Sequence, residues 1–383
     1  MTHHNNIFDL PTPALLLDWG AASRNIATAS ELAAGSGLML RPHFKNHKCV
    51  PLARAQVAGG NCVGMTVATV DEAFTLVRAG FEDVLIANQV VSAHKLAGLV
   101  RLARCATVRA AVDSLQNAQA IELEAQRQGA KVGVLIELNV GYNRWGVEHG
   151  EQAAALAQKI AAMRAVSFMG LQAYHGSGGH IFDGVERASY ARSSMEVVRQ
   201  IYEIITAQGL QCPVVSGAGT GTFLAVLDQG ILTELQLGSY LLMDWQFKER
   251  MGDLFEVALT VLATVISTSE NHFVIDVGLK GLGNKGGAPR LLGHLDYEVT
   301  QWAAEEHTVI MAHQHKLRVG DLMRVLPSHA SGTVNLYRNL NLHDGELIIE
   351  RWPISATGYP FEERKRYGLS HLNFRWHHRR WQW

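Results

Sequence analysis

Short apolar runs alternate with longer stretches of helical spacing over the first two thirds of the chain. Eight runs are present, at 38–40, 63–67, 84–87, 107–112, 132–138, 168–173, 214–216 and 234–237. Continuous apolar strands separated by helices are typical of a parallel sheet that is covered on both faces. Eight such units predict an α/β fold, a (β/α)8 TIM barrel. An open doubly wound sheet is the alternative that this pattern leaves open.

The pattern changes near residue 249. Beyond this point, alternating stretches are separated by Gly, Asn and Pro, at 256–268, 273–278, 308–312, 322–326 and 346–354. This alternation predicts an antiparallel β domain. We therefore expect a barrel over residues 18–248, followed by a β domain over 249–383 that also includes the N-terminal segment 1–17.

Composition excludes several classes of protein. The 383 residues are 48% hydrophobic and 18% charged, and the formal net charge of −1 does not point to nucleic acid or an anionic membrane. The four cysteines lack the paired spacing of a zinc knuckle or a disulfide framework. The chain shows neither a signal-peptide pattern nor a long apolar run, so we expect a cytoplasmic protein. The basic and aromatic tail, 364–383, is expected to dock on a β domain rather than on nucleic acid.

The stretch 38–49, LMLRPHFKNHKC, carries chemistry at the end of the first predicted barrel strand. Pro42 has no N–H for a ladder, so the strand is expected to end there. Two histidines and two lysines follow within six positions: His43, Lys45, His47 and Lys48. A lysine whose pKa falls on desolvation is a Schiff-base nucleophile. A basic surface loop is the alternative.

Two further strand ends predict an anion site. The seventh strand leads into SGAGTGT, 216–222, and then a predicted helix over 222–227, while the eighth is followed by Gly238-Ser239-Tyr240. Glycine-rich backbone at a helix start binds phosphate, and barrels commonly place phosphate after strands seven and eight. A lysine after strand one, this phosphate site and a trailing β domain together indicate pyridoxal 5′-phosphate.

Seven segments give the chain a specific resemblance. They are TPALLLD (12–18), RPHFKNHK (41–48), NVGYNRWGV (139–147), GLQAYHG (170–176), SGAGTGT (216–222), LGSYLLMD (237–244) and PSHASGTVNLY (327–337). In this order they resemble the fold-type III pyridoxal-phosphate enzymes. Within that class they are similar to the group of D-threonine aldolase, D-3-hydroxyaspartate aldolase or dehydratase, and D-serine dehydratase.

The resemblance implies roles for individual residues. Lys45 becomes the Schiff-base residue, and Lys48 a charged bystander at the surface. Arg144 is expected near the phenolic oxygen of the cofactor, and Tyr174 near its pyridine nitrogen. His180 is expected near the β-hydroxyl of the substrate as general base. The remaining cofactor contacts, mainly to phosphate, fall on Gly219, Thr220, Gly221, Gly238, Ser239 and Tyr240.

The chain departs from the group at the metal site and in the barrel. A His-x-Cys or His-x-Asp pair is usual, whereas this chain has His329 and Ser331. A serine hydroxyl is a poor ligand for Mn²⁺, Mg²⁺ or Zn²⁺, so a divalent metal is an open question. Asn139 stands where aspartate is usual, and Gly179 where glutamine is common.

The resemblance implies a lyase that acts on D-configured β-hydroxy-α-amino acids. We expect retro-aldol cleavage to glycine and an aldehyde, in a homodimer. A D-serine or D-3-hydroxyaspartate dehydratase is the first alternative. An amino-acid racemase and a non-catalytic protein that binds pyridoxal phosphate are more distant ones.

Overall fold

The computed structural model describes residues 6–302 and 304–358, so the basic and aromatic tail lies outside the described residues. The strands are β1 Ala14–Asp18, β2 Met39–Leu40, β3 Met65–Val67, β4 Asp83–Gln89, β5 Thr107–Val112, β6 Val132–Glu137, β7 Val166–Ala173, β8 Val214–Gly217, β9 Glu234–Leu235, β10 Leu259–Thr268, β11 His272–Ile275, β12 Arg290–Leu291, β13 Glu298–Gln301, β14 Thr308–Met311, β15 Leu322–Leu326, β16 Asn339–Asp344 and β17 Leu347–Pro353.

The helices fall mainly between the strands of the first half of the chain. They are α1 Trp19–Gly35, α2 Val50–Ala58, α3 Val70–Arg78, α4 Ala93–Ala103, α5 Leu115–Gln128, α6 Gly150–Ala161, α7 Gly184–Ala207, α8 Trp245–Met251 and α9 Ala330–Val334, with short 3₁₀ turns at Ile7–Asp9, Phe44–Asn46, Gly178–His180 and Phe223–Val226. None of the helices within the described residues has the length and apolar character needed to cross a membrane.

Strands β2 to β9 form a parallel sheet in the order β2-β9-β8-β7-β6-β5-β4-β3. Bridges from Leu40 to Cys62 and from His43 to Thr66 join the two ends of this order and close the sheet. The middle strands are buried almost throughout, as expected for strands with helices outside and packed side chains inside. The predicted (β/α)8 barrel is confirmed, and each of the eight predicted runs overlaps one of its strands.

The helix predicted over 222–227 is wrong in type. The structure has a four-residue 3₁₀ turn, Phe223–Val226. Left-handed residues bound this segment, since Ala218 has φ of 57° and Gly230 has φ of 63°. These turns leave too few consecutive residues in right-handed conformation for an α-helix.

The second sheet has nine strands and is mainly antiparallel. Its central strand β10 pairs antiparallel with β1, β11 and β15. Strand β1 also pairs parallel with β16, and then leads directly into α1 beside the barrel. The N-terminal strand therefore belongs to the second sheet by its hydrogen bonds, while the boundary between residues 248 and 249 stays a prediction.

The expectation that Lys48 is a surface charge is wrong. Lys48 is buried, and its ammonium lies 3.4 Å from Glu72 Oε1 and 3.0 Å from Asn335 Oδ1. Its carbonyl accepts a hydrogen bond from the Ser355 N–H. The opposite charge of Glu72 makes this burial tolerable. Lys48 thus connects the barrel with segments next to α9 and β17.

A buried arginine ties together the start of the barrel. The Arg41 guanidinium donates from Nε to Glu234 Oε1 at 2.7 Å and from Nη1 to Asp83 Oδ1. Arg41 and Glu234 are both almost fully buried. Because these residues lie next to β2, β9 and β4, the ion pairs hold three strands in register where the barrel closes.

We predict that Arg41→Ala lowers the free energy of unfolding by about 3–5 kcal/mol, because it leaves the Glu234 carboxylate buried without its partner. Thermal unfolding followed by circular dichroism measures the loss. Arg24→Ala is the matched control, since the Arg24–Glu256 ion pair is exposed and should change the melting temperature little. Equal melting temperatures for the two variants would contradict the prediction.

Candidate active site

A cavity of about 330 Å³ opens at the mouth of the barrel, where the carboxyl ends of β2, β7, β8 and β9 meet. Residues from α8, from the loop at 285–286 and from the segment 328–331 complete its wall. Ten residues singled out from the sequence line this one cavity: Lys45, Tyr174, His180, Gly219, Thr220, Gly221, Gly238, Ser239, His329 and Ser331.

Lys45 lies in the 3₁₀ turn after β2, where His43 Nδ1 accepts from the Lys45 N–H. Its side chain projects into the cavity, with Nζ 5.5 Å from the centroid of the Tyr174 ring. Burial by the surrounding walls, together with the charges of Arg144 and Lys285, lowers the pKa of Lys45 to about 8, against the opposing effect of Glu72. A sizeable fraction of the amine is therefore neutral and nucleophilic near neutral pH.

Tyr174 and Arg144 are the two residues that the resemblance places near the cofactor ring. Burial first, and then Tyr142, raises the pKa of Tyr174, so its phenol is uncharged. The Arg144 guanidinium stacks 4.4 Å from the centroid of the Tyr142 ring and 3.6 Å from that of Trp145. Arg144 itself lies outside the cavity wall, but its charge acts on both Lys45 and Tyr174.

Asn139 organises the loop that carries Arg144. Its Oδ1 accepts from the N–H groups of Gly141 and Asn143, and its Nδ2 donates to Glu148 Oε1 at 3.2 Å. An aspartate would accept the same two N–H groups but would place a second carboxylate against Glu148. The asparagine found in place of the usual aspartate therefore matches its neighbour in this chain.

The glycine-rich loop after β8 packs so closely that side chains have no room. A Cβ at Gly219 would lie 3.1 Å from the Tyr174 ring, and a Cβ at Gly221 would lie 2.7 Å from Gly179 Cα. Thr220 Oγ1 accepts from the backbone N–H of Tyr240 and so joins this loop to the one after β9. The loop leaves its backbone close to the cavity, as a phosphate site requires.

Tyr240 contributes differently from what the sequence suggests. Its side chain is buried, and its hydroxyl accepts from Gln56 Nε2 at 2.8 Å in the core. Only its neighbours Gly238 and Ser239 line the cavity. The structure thus places the Tyr240 ring beneath the site as packing, with its N–H committed to Thr220.

Orphaned polar atoms in the wall test whether pyridoxal phosphate fits. Both ring nitrogens of His175 and the Asn46 Oδ1 atom are buried without a hydrogen-bond partner among the described residues, and both side chains line the cavity. Buried polar groups are normally paired, so unpaired ones at a cavity indicate a missing ligand. Together with the amine of Lys45 and the glycine cradle, these atoms fit a polar aromatic phosphate.

His180 ends the 3₁₀ turn Gly178–His180 and faces the cavity. Partial burial, followed by the charges of Lys285 and Arg250, lowers its pKa. The imidazole is therefore neutral at neutral pH and has a lone pair available for a proton. This is the state that a general base needs.

His329 and Ser331, the proposed metal residues, bond to each other and to the backbone. The Gly332 N–H donates to His329 Nδ1 at 3.2 Å, and Nε2 lies 3.2 Å from Ser331 Oγ. Burial and the nearby cations lower the pKa of His329 to about 4, so the ring is neutral and its one proton lies on Nε2. Both ring nitrogens thus have partners within the protein, and among the described residues no group of three His, Cys, Asp or Glu side chains could hold a metal. This donor set does not fit a divalent ion.

Sequence reasoning missed four ionisable residues of the wall. Asp244 Oδ1 accepts from the Phe247 N–H and Oδ2 from the Ala330 N–H, so it links α8 to α9. Its place before α8 is an N-cap signal that could have identified it. His175 follows Tyr174 directly, so its position just after strand β7 could have identified it. Arg250 and Lys285 carried no local signal, because only the fold brings them to the barrel mouth.

A closed parallel barrel with a lysine and a glycine cradle in the cavity at its mouth, followed by a mainly antiparallel sheet, defines a class of cofactor-binding enzyme. The chain belongs to the alanine racemase N-terminal domain family, whose model matches residues 17–245, and residues 258–342 match a putative serine dehydratase domain. The aldolases and dehydratases to which this chain is similar are pyridoxal-phosphate-dependent lyases.

Three relatives illustrate the range. D-threonine aldolase from Arthrobacter sp. is 34% identical over 91% of this chain and 93% of its own. The crystal structure of D-threonine aldolase from Filomicrobium marinum superposes with a TM-score of 0.89 at 35% identity, covering 92% of this chain and 97% of its own. D-threo-3-hydroxyaspartate dehydratase from Delftia sp. is 29% identical over 86% of this chain and 93% of its own.

We predict that the rate at which the apoprotein binds pyridoxal phosphate rises with pH to a midpoint near 8 and then levels. The reason is that the lowered pKa of Lys45 converts its ammonium into an amine at about pH 8. Stopped-flow absorbance measures the rate, with Lys45→Arg as the variant that forms no imine. A rate that still rises beyond about pH 10 would indicate an ordinary lysine and contradict the prediction.

We predict that Gly221→Ala weakens binding of pyridoxal phosphate by about tenfold or more, or about 1.4 kcal/mol. The added methyl group would meet the Gly179 backbone at 2.7 Å and push the glycine-rich loop away from the His180 turn. Fluorescence titration of the apoprotein measures the dissociation constant. Gly35→Ala is the control, since a Cβ there meets nothing within 4 Å, and equal affinity in the two variants would refute this account.

Proposed function

We propose that the chain cleaves D-configured β-hydroxy-α-amino acids by a retro-aldol reaction that gives glycine and an aldehyde. The observation that carries this proposal is the placement of Lys45 and a neutral His180 in the wall of one cavity. The relatedness to D-threonine aldolases supports the same reaction.

In this proposal pyridoxal phosphate supplies the electron sink for the carbanion at Cα. Lys45 would hold the cofactor through its side-chain nitrogen. The glycine-rich loop and Ser239 would hold the phosphate, while Asn46 and His175 offer unpaired polar atoms. Tyr174, whose phenol is uncharged, has its ring centroid 5.5 Å from Lys45 Nζ and would lie on the pyridine-nitrogen side. The charge of Arg144 would act on the phenolic side.

The acid–base step falls to His180. Its neutral imidazole accepts the proton of the substrate β-hydroxyl, and the Cα–Cβ bond breaks as the carbonyl of the aldehyde forms. The charges of Lys285 and Arg250 keep the ring unprotonated before this step, because both lower its pKa. The lone pair of His180 therefore needs no further activation.

A dehydratase is the second candidate, supported by the 29% identity to the Delftia enzyme. It would use Lys45 to remove the α-proton and would then lose the β-hydroxyl as water. That departure requires protonation of the β-oxygen, for which the neutral His180, His329 and Ser331 are poor donors. Retro-aldol cleavage needs a base at this oxygen, which His180 supplies.

Turnover of D-threonine and D-serine by the protein loaded with pyridoxal phosphate tests this proposal. We expect glycine and acetaldehyde from D-threonine, and little pyruvate from D-serine. His180→Gln should lower kcat by about 10²–10⁴-fold through loss of the base, and Lys45→Ala should remove turnover. Pyruvate as the main product would favour the dehydratase and overturn the aldolase proposal.

We also propose a cytoplasmic homodimer. The four cysteines are free thiols, which suits a reducing compartment. The exposed apolar side chains of Phe182 and Val185 lie beside the His180 turn and offer a surface for a second copy. Light scattering during size-exclusion chromatography measures the mass, and a single chain of 42.0 kDa would contradict the dimer.

A further inference from the structure

Lys285 is a cation in the cavity wall that the proposed reaction has not yet used. It lies in the loop before Gly286, and its side chain lines the cavity together with His180, His329 and Ser331. Its charge acts on two groups from different elements, since it lowers the pKa values of Lys45 and His180. Its ammonium therefore lies among the groups that surround the substrate.

The other two cations of the wall have other roles. Lys45 serves the cofactor. Arg250 donates from Nη1 to the Gly179 carbonyl and from Nη2 to Gln246 Oε1, and it stacks 4.6 Å from the centroid of the Phe182 ring, while its Nε is buried without a partner among the described residues. Lys285 forms no ion pair with any described carboxylate. Its donors are available for a ligand.

His329 and Ser331 stand where a pair of metal ligands is usual, but here they bond to each other. His329 uses Nδ1 to accept from Gly332 and Nε2 to donate to Ser331 Oγ. A metal at Nε2 would require the ring proton to lie on Nδ1, which would end the hydrogen bond from Gly332 and the contact with Ser331. A serine hydroxyl does not compensate for the thiolate or carboxylate that such an ion prefers.

We propose that Lys285 is a catalytic residue that binds the β-oxygen of the substrate through its ammonium, in the role that a divalent cation would otherwise have. This inference rests on the proposed retro-aldol function. An ammonium at this oxygen stabilises the negative charge that develops as the O–H bond breaks and its proton passes to His180. The oxygen lone pair then forms the C=O bond, the Cα–Cβ bond breaks, and its electron pair stays with Cα until a proton returns there to give glycine.

The test compares the loaded wild-type protein with Lys285→Met, Lys285→Arg and the control Lys280→Met. Lys280 precedes the same loop but pairs with Glu305 at the surface. We expect Lys285→Met to lower kcat for D-threonine by about 10²–10³-fold with little change in KM and normal cofactor absorbance. Lys285→Arg should recover part of the loss, and Lys280→Met should match the wild type.

Metal binding is measured separately from activity, by titrating Mn²⁺ into the loaded protein in a calorimeter and by assaying turnover with EDTA. We expect no stoichiometric binding and no loss of turnover.

Binding of one Mn²⁺, or inhibition by EDTA that Mn²⁺ reverses, would overturn the inference about Lys285 and leave the proposed function standing. A Lys285→Met variant with normal kcat, with a defect only in KM, or with lost cofactor would also overturn it. Failure of the wild type to cleave any D-β-hydroxy amino acid would instead overturn the proposed function.

Discussion

The concentration of positive charge at the barrel mouth is the constraint on which the rest of the site depends. The described wall of the cavity carries Lys45, Lys285 and Arg250 but one carboxylate, Asp244. Burial and these mutual charges lower the pKa values of Lys45 and His180, and they raise the cost of protonating His329. The same physical cause thus produces a nucleophilic amine and two neutral imidazoles within one cavity.

This site exists only because elements from both sheets meet there. Asp244 receives hydrogen bonds from Phe247 in α8 and from Ala330 in α9, which fixes the neighbouring His329 against the barrel. Burial raises the pKa of Asp244 to about 6, so its carboxylate depends on these N–H groups. Lys48 makes a second connection through Glu72 and Asn335. A shift between the sheets would separate the proposed base from the groups around it.

Much of the barrel was predictable from the sequence, because a parallel strand with both faces covered reads as a continuous apolar run. The second sheet was predictable in kind, but its strand β16 was not, since its residues Asn339–Asp344 include alternating polar side chains that become buried against β1. Individual side chains were harder to predict than strands. The burial of Lys48 depends on Glu72, which is distant in sequence. Tyr240 stands in a motif that resembles a cofactor contact, yet its hydroxyl accepts a hydrogen bond from Gln56 in the core. Lys285 reaches the cavity through tertiary folding alone. Pairings between distant residues of this kind leave no periodic signal.

The excess of positive charge in the described wall also favours the anion-bound state of the site over its empty state. Three positive side chains around one cavity repel one another in a medium less polar than water, and the single carboxylate already accepts two backbone N–H groups. A phosphate dianion and a substrate carboxylate would supply the missing negative charge and would offer partners to the orphaned atoms of His175 and Asn46. Binding these anions would therefore stabilise the folded chain by mass action. A divalent cation would add to the repulsion, whereas the ammonium of Lys285 is already part of the balance that the anions complete.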